Sequence, residues 1–125
     1  MRLLLDAHTL LWATASSVKL QEAARDAISD LNNDVFVSIA TAWELSIKSN
    51  IGKITLPPRF FEQIEQAGYQ FLPISLEHIQ HYQSLPLHHR DPFDRILVSQ
   101  SLCDGLTLVT RDSQFAAYGL STMTA

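Results

Sequence analysis

Four carboxylates stand where apolar runs give way to turns or helices. Asp6 closes "RLLL", Asp112 lies just beyond "TLVT", Glu44 sits in the second turn of a helix expected after "VFVS", and Asp94 sits in the first turn of one opening at Pro92. In an open parallel sheet the carboxyl ends of the strands share one edge with the N-termini of the following helices, so side chains at these positions converge although the sequence scatters them. Like charges so gathered repel and raise one another's pKa unless a cation holds them. Oxygen-only ligands select hard ions, and Mg²⁺ or Mn²⁺ on a few carboxylates is the usual arrangement where phosphate is handled. Such ions activate water and stabilise charge on phosphoryl oxygens, which makes phosphodiester hydrolysis the reaction this set would support.

Each acid also has an ordinary reading. Asp6 and Asp112 suit the caps of the turns after them, Asp94 suits the positive end of its helix dipole, and Glu44 suits an i,i+4 pair with Lys48. Asp91 precedes Pro92 and reads as an N-cap that could also orient a metal-bound water from outside the ligand set. The joint placement of Asp6, Glu44, Asp94 and Asp112 favours the metal reading.

The elements that must position these groups follow from hydrophobic period and punctuation. Strands are expected at residues 2–5, 35–38, 69–74 and 106–110, with a further edge strand in the tail "STMTA". Helices are expected at 8–14, at 20–31 with Leu31 on its apolar stripe, at 39–53, at 57–68 opened by proline, after a Ser75 cap, and at 92–104 ending before Gly105. In the third helix Ile39, Trp43, Ile47 and Ile51 lie four apart and read as the buried stripe, with Glu44 at its flank. Alternation of strand and helix predicts one α/β domain spanning residues 1–125, a three-layer α/β/α sandwich around a short, mainly parallel sheet.

At 125 residues the chain is long enough for one core. The single cysteine, Cys103, excludes an internal disulfide framework and suits a cytoplasmic setting, and its place late in an apolar helix reads as an inert thiol. No run approaches the length of a membrane span. A formal net charge of −4 disfavours a broad basic face for duplex DNA, although an acidic site loaded with cations is locally positive.

The segments "LLLDAHTLLW", "VSIATAWELSIK", "HHRDPFDRILVSQSL" and "LTLVTRDSQF" resemble the motifs of PIN-domain ribonucleases, and more narrowly those of VapC-like toxins. The resemblance runs in order over essentially the whole chain. It implies that Asp6, Glu44, Asp94 and Asp112 form the catalytic, metal-binding set. It also implies Mg²⁺- or Mn²⁺-dependent cleavage of single-stranded regions of RNA, a homodimer, and neutralisation by a small antitoxin. Many relatives have a hydroxyl residue directly after the first aspartate, where this chain has Ala7, and Thr9 is not assumed to replace it. Lys48, Lys53, Arg90, Arg95 and Arg111 lie near the motifs as candidates for holding RNA phosphates.

Other conspicuous residues read as structural. His78, His81, His88 and His89 lack a zinc-binding pattern and are expected at the surface, while Trp12 and Trp43 are expected in the core. Two alternatives stay open: an inactive PIN-fold binding module, and a small-molecule phosphohydrolase. The intact acid set disfavours the first, and "DAH" in place of Asp-x-Asp after the first strand disfavours the second.

Overall fold

A computed structural model describes residues 1–125. Five strands, β1 (Arg2–Leu5), β2 (Asp34–Ser38), β3 (Gln70–Leu72), β4 (Thr107–Thr110) and β5 (Thr122–Thr124), form one sheet in the order β3-β2-β1-β4-β5. Every pairing is parallel, including that of the tail strand β5 with β4. The connections supply α1 (Ala7–Thr14), α2 (Glu22–Ser29), α3 (Ile39–Asn50), α4 (Phe60–Gln66), α5 (Leu76–Gln83), α6 (Pro92–Asp104) and a 3-10 turn at Ser113–Tyr118. This is the expected α/β/α sandwich.

The central strand shows why both faces must be covered. Side chains alternate across a strand, so Leu3 and Leu5 enter one apolar cluster with Leu10, Ala24, Ile28, Val37, Leu45 and Ile64. Leu4 enters the opposite cluster with Leu85, Leu97, Val98, Leu108 and Phe115. Fully burying each of these large side chains contributes about 1.5–3 kcal/mol. The strand is apolar throughout because neither face meets water.

Helix α6 is the best punctuated element. The Asp91 side chain accepts the Phe93 N–H at 2.8 Å, Pro92 takes the first turn, and Gly105 ends the helix at φ 65°, a left-handed conformation that a side chain would strain. Its residues from Arg95 to Ser101 are all buried, because the helix lies between the sheet and α5.

Three expectations require correction. The α2 helix stops at Ser29, and Leu31 lies beyond it, fully exposed, because Asp30 turns to extended backbone. Pro57 and Pro58 do not open α4; they precede Arg59, whose left-handed φ of 59° redirects the chain before the helix starts at Phe60. The largest change concerns α3. Ile39, Trp43, Ile47 and Ile51 are 44%, 61%, 38% and 59% exposed, while Ala40, Thr41, Glu44 and Leu45 face inward. This helix is apolar on more than one side, and period alone does not say which stripe meets the core. The smaller side chains of Ala40 and Thr41 let the helix approach its neighbours α1 and α6 closely.

Candidate active site

Asp6 leaves the end of β1 and caps α1. Its Oδ1 accepts the Thr9 N–H at 2.9 Å and its Oδ2 accepts the Thr110 hydroxyl at 2.6 Å. The register pairing Leu5 with Val109 places Asp6 beside Thr110 at the next step along the two strands. Thr110 also accepts the Asp112 N–H at 3.1 Å, so one buried hydroxyl joins the turns carrying both aspartates. Thr9 does not replace the hydroxyl missing at Ala7: it is fully buried, and its Oγ1 donates to the Val109 carbonyl at 2.9 Å.

Asp112 caps the 3-10 turn through Oδ1, which accepts the Gln114 N–H, and its Oδ2 meets His89 Nε2 at 2.9 Å. Burial alone would raise its pKa; the hydrogen bonds from His89 and Gln114 outweigh that and hold it below the usual carboxylate range. Asp94 behaves in the opposite sense. Burial first, and then the charges of Asp91, Glu44 and Asp6, push it up from 3.8 to about 6, with nearby His89 offsetting part of the effect. No hydrogen bond contributes to its balance.

Glu44 is nearly buried and is held by Lys48 Nζ at 2.9 Å, one turn along α3. The expected pair with Lys48 therefore exists, but on the inner side of the helix and not on an open surface. Glu44 and Asp6 thus each come within electrostatic reach of Asp94, and Asp112 is joined to Asp6 through the Thr110 hydroxyl. Asp91 stands beside Asp94 as the helix cap.

The basic candidates divide. Lys48, Lys53 and Arg90 line an open groove of about 450 Å³ with Glu44, Asp91 and Phe93. Arg95 does not belong among surface phosphate contacts: it is 6% exposed and donates to the carbonyls of Leu85, Pro86 and His89, with its guanidinium over Tyr82. These bonds fix the loop that carries His89. Arg111 stacks over Trp12 and donates to the Lys19 and Ala125 carbonyls, which leaves little of its guanidinium for a ligand.

Two histidines expected at the surface are buried. His78 is 3% exposed; its Nδ1 accepts the Ser75 N–H and its Nε2 meets Asp104, which ties α5 to the end of α6. His89 is 9% exposed between the rings of Phe115 and Tyr118. Trp43 moves the other way, from the expected core to a solvent-facing position edge-on to Phe93. Cys103 is a partly buried thiol whose pKa is raised, chiefly by burial, in keeping with an inert role.

No group of three or more His, Cys, Asp or Glu side chains stands at metal-ligand spacing. Asp6, Glu44 and Asp112 are turned to partners within the chain. The donor chemistry nevertheless fits a hard divalent cation. All four acids offer oxygen, each carboxylate keeps lone pairs beyond its present bonds, and the charge at Asp94 is opposed by burial and by three neighbouring acids. A cation at this edge would relieve that opposition.

Solved structures of similar fold include VapBC2 from Rickettsia felis bound to a DNA fragment from their promoter, with TM-score 0.74, 17% identity and 98% of each chain covered. FitAcB from Neisseria gonorrhoeae matches with TM-score 0.68 and 20% identity over 98% of this chain and 96% of that one. A toxin-antitoxin complex from Klebsiella pneumoniae matches with TM-score 0.67 and 16% identity over 97% and 95%. No curated protein sequence matches the chain. The sequence itself matches the PIN domain over residues 3–120, so the chain belongs to the PIN-domain family.

Proposed function

We propose that the protein is a Mg²⁺- or Mn²⁺-dependent endoribonuclease that cleaves single-stranded regions of RNA and acts as the toxin of a toxin–antitoxin pair. Membership of a nuclease family supports hydrolysis. The observation that carries the reading is that the Thr110 hydroxyl ties Asp6 and Asp112 at one sheet edge, while Asp94, raised chiefly by burial, also feels the charges of Glu44 and Asp6. A cluster of acids without a catalytic duty would be a standing cost to the fold.

In this reading Asp6, Asp94 and Asp112 hold the cation, and Glu44 orients the attacking water or a second ion. When bound, the metal supplies an acidified water and charge stabilisation on the phosphoryl oxygens. Thr110 and the Thr9 N–H keep Asp6 aimed at the edge, and Lys48 limits the swing of Glu44. Lys48, Lys53 and Arg90 border the groove beside the acids and offset the repulsion between this acidic chain and an RNA backbone.

Complexes named VapBC, FitAcB and toxin-antitoxin among the proteins of similar fold support a small antitoxin as partner. The exposed apolar stripe of α3 supports protein partners more generally, namely an antitoxin and a second copy of the chain.

The test is cleavage of a structured RNA by the purified protein with Mg²⁺ or Mn²⁺. Activity should vanish with chelator and fall to background in Asp6→Asn. Cleavage that persists in either case would belong to a contaminant. A well-folded wild-type protein that cuts no RNA with either ion, yet binds a small partner tightly, would support the binding-module reading instead.

A further inference from the structure

His89 lies outside the acid set, yet its ring is among the most constrained polar groups near it. Two rings stack on it: the Phe115 centroid lies 4.5 Å from that of His89 at an interplanar angle of 29°, and the Tyr118 centroid lies 5.6 Å away at 18°. Its backbone N–H donates to Tyr118 Oη at 2.8 Å, and its carbonyl accepts from the buried guanidinium of Arg95. Both the plane and the position of the imidazole are therefore fixed from several sides.

For a neutral ring, counting donors assigns the one hydrogen. Nε2 stands 2.9 Å from Asp112 Oδ2, an oxygen with no hydrogen to give when the carboxylate is ionised, so Nε2 must donate. Tyr118 Oη already accepts the His89 N–H, and its single hydrogen is free to point at Nδ1, 3.2 Å away. A chain of donation follows, from the Tyr118 hydroxyl to Nδ1 and from Nε2–H to Asp112. Oδ1 of the same carboxylate is pinned by the Gln114 N–H.

We propose that His89, oriented by Tyr118, is a positioning residue that holds the Asp112 carboxylate in the rotamer from which it engages a divalent cation. The proposal rests on the metal-dependent reading given above. His89 touches neither substrate nor cation; it acts by sparing Asp112 the cost of ordering its side chain when the ion arrives. The Arg95 bonds to the 85–89 carbonyls extend this support by fixing the loop on which the imidazole is mounted.

The experiment has two readouts on the intact protein. Long-range ¹H–¹⁵N correlation spectra of the metal-free chain should show the His89 hydrogen on Nε2, and Tyr118→Phe, which keeps the aromatic stack, should leave it there because the Asp112 contact remains. Mn²⁺ titration should then show affinity reduced by about 10–100-fold in His89→Phe, the range found when a partner of a metal ligand is removed. His89→Gln, whose amide can donate from a similar place, should restore most of it. A hydrogen on Nδ1 alone, Mn²⁺ affinity in His89→Phe within about twofold of wild type, or equal losses in folded Gln and Phe variants would overturn the proposal. A wild-type chain that takes up no Mn²⁺ would instead defeat the metal-dependent reading, and this inference with it.

Discussion

At the scale of single residues, the site sets one carboxyl group against its surroundings. Asp94 is pushed up to about 6 in the folded protein, chiefly by burial. Its folded pKa exceeds its unfolded one, so the native state binds the proton more tightly. Stability of the metal-free protein should therefore fall as pH rises from about 4 to about 6 and change little from this group above that. The full shift would correspond to about 3 kcal/mol, and the solvent that still reaches Asp94 reduces the expected loss to about 1 kcal/mol. Thermal melts at several pH values should show this loss in wild type and not in Asp94→Asn. Cation affinity should rise through the same window. Thr110 invites a second substitution, because valine keeps its shape and removes the hydroxyl that serves both Asp6 and Asp112. We expect Thr110→Val to cost about 1 kcal/mol in denaturant unfolding and to lower cation affinity by about tenfold or more. The candidate acids could be read from sequence because each sits beside a strand end or a helix start. The groups that orient them could not. Thr110 is one of two threonines in β4, and His89 is one of four histidines within twelve positions. Only the β1–β4 register and the packing of the 3-10 turn reveal what they touch.

At the scale of elements, local punctuation and tertiary packing had unequal legibility. Helix α6 declares both ends in its sequence through Asp91, Pro92 and Gly105. If Asp91 acts as a cap, Asp91→Ala should cost about 1 kcal/mol in thermal or denaturant unfolding while Asp91→Asn, which keeps the acceptor, costs a few tenths. Both variants should also lower the Asp94 pKa in an NMR titration, since Asp91 is one of the charges raising it. Helix α3 is the opposite case. Its isoleucines and Trp43 form the clearest stripe in the sequence, and the fold turns that stripe outward. The inner face was hidden because it carries one large apolar side chain, Leu45, among Ala40, Thr41 and Glu44, too few to mark a stripe. Paired unfolding measurements test this assignment: Leu45→Ala should destabilise by about 2–5 kcal/mol, and Trp43→Ala by about 0.5 kcal/mol or less.

At the scale of the whole molecule, the parallel sheet explains why residues separated by most of the chain come to one edge. The ends of β1 and β4 open on the edge where α1 and the Asp112 turn begin. The ladder between β1 and β2 brings α3, and with it Glu44, to the same edge. The three-layer form was legible because buried strands and helices alternate from Arg2 to Thr124. The outward stripe of α3 was not, because a single chain's pattern does not distinguish a surface made for the core from one left for another molecule. The central claim is that one hard cation site forms at this edge from acids that now hold internal partners. Anomalous diffraction from crystals grown with Mn²⁺ tests it most directly. We predict a manganese peak ligated by Asp6 and Asp94, with Asp112 and Glu44 reaching it directly or through water. A peak held elsewhere, or none there under saturating Mn²⁺, would contradict the account.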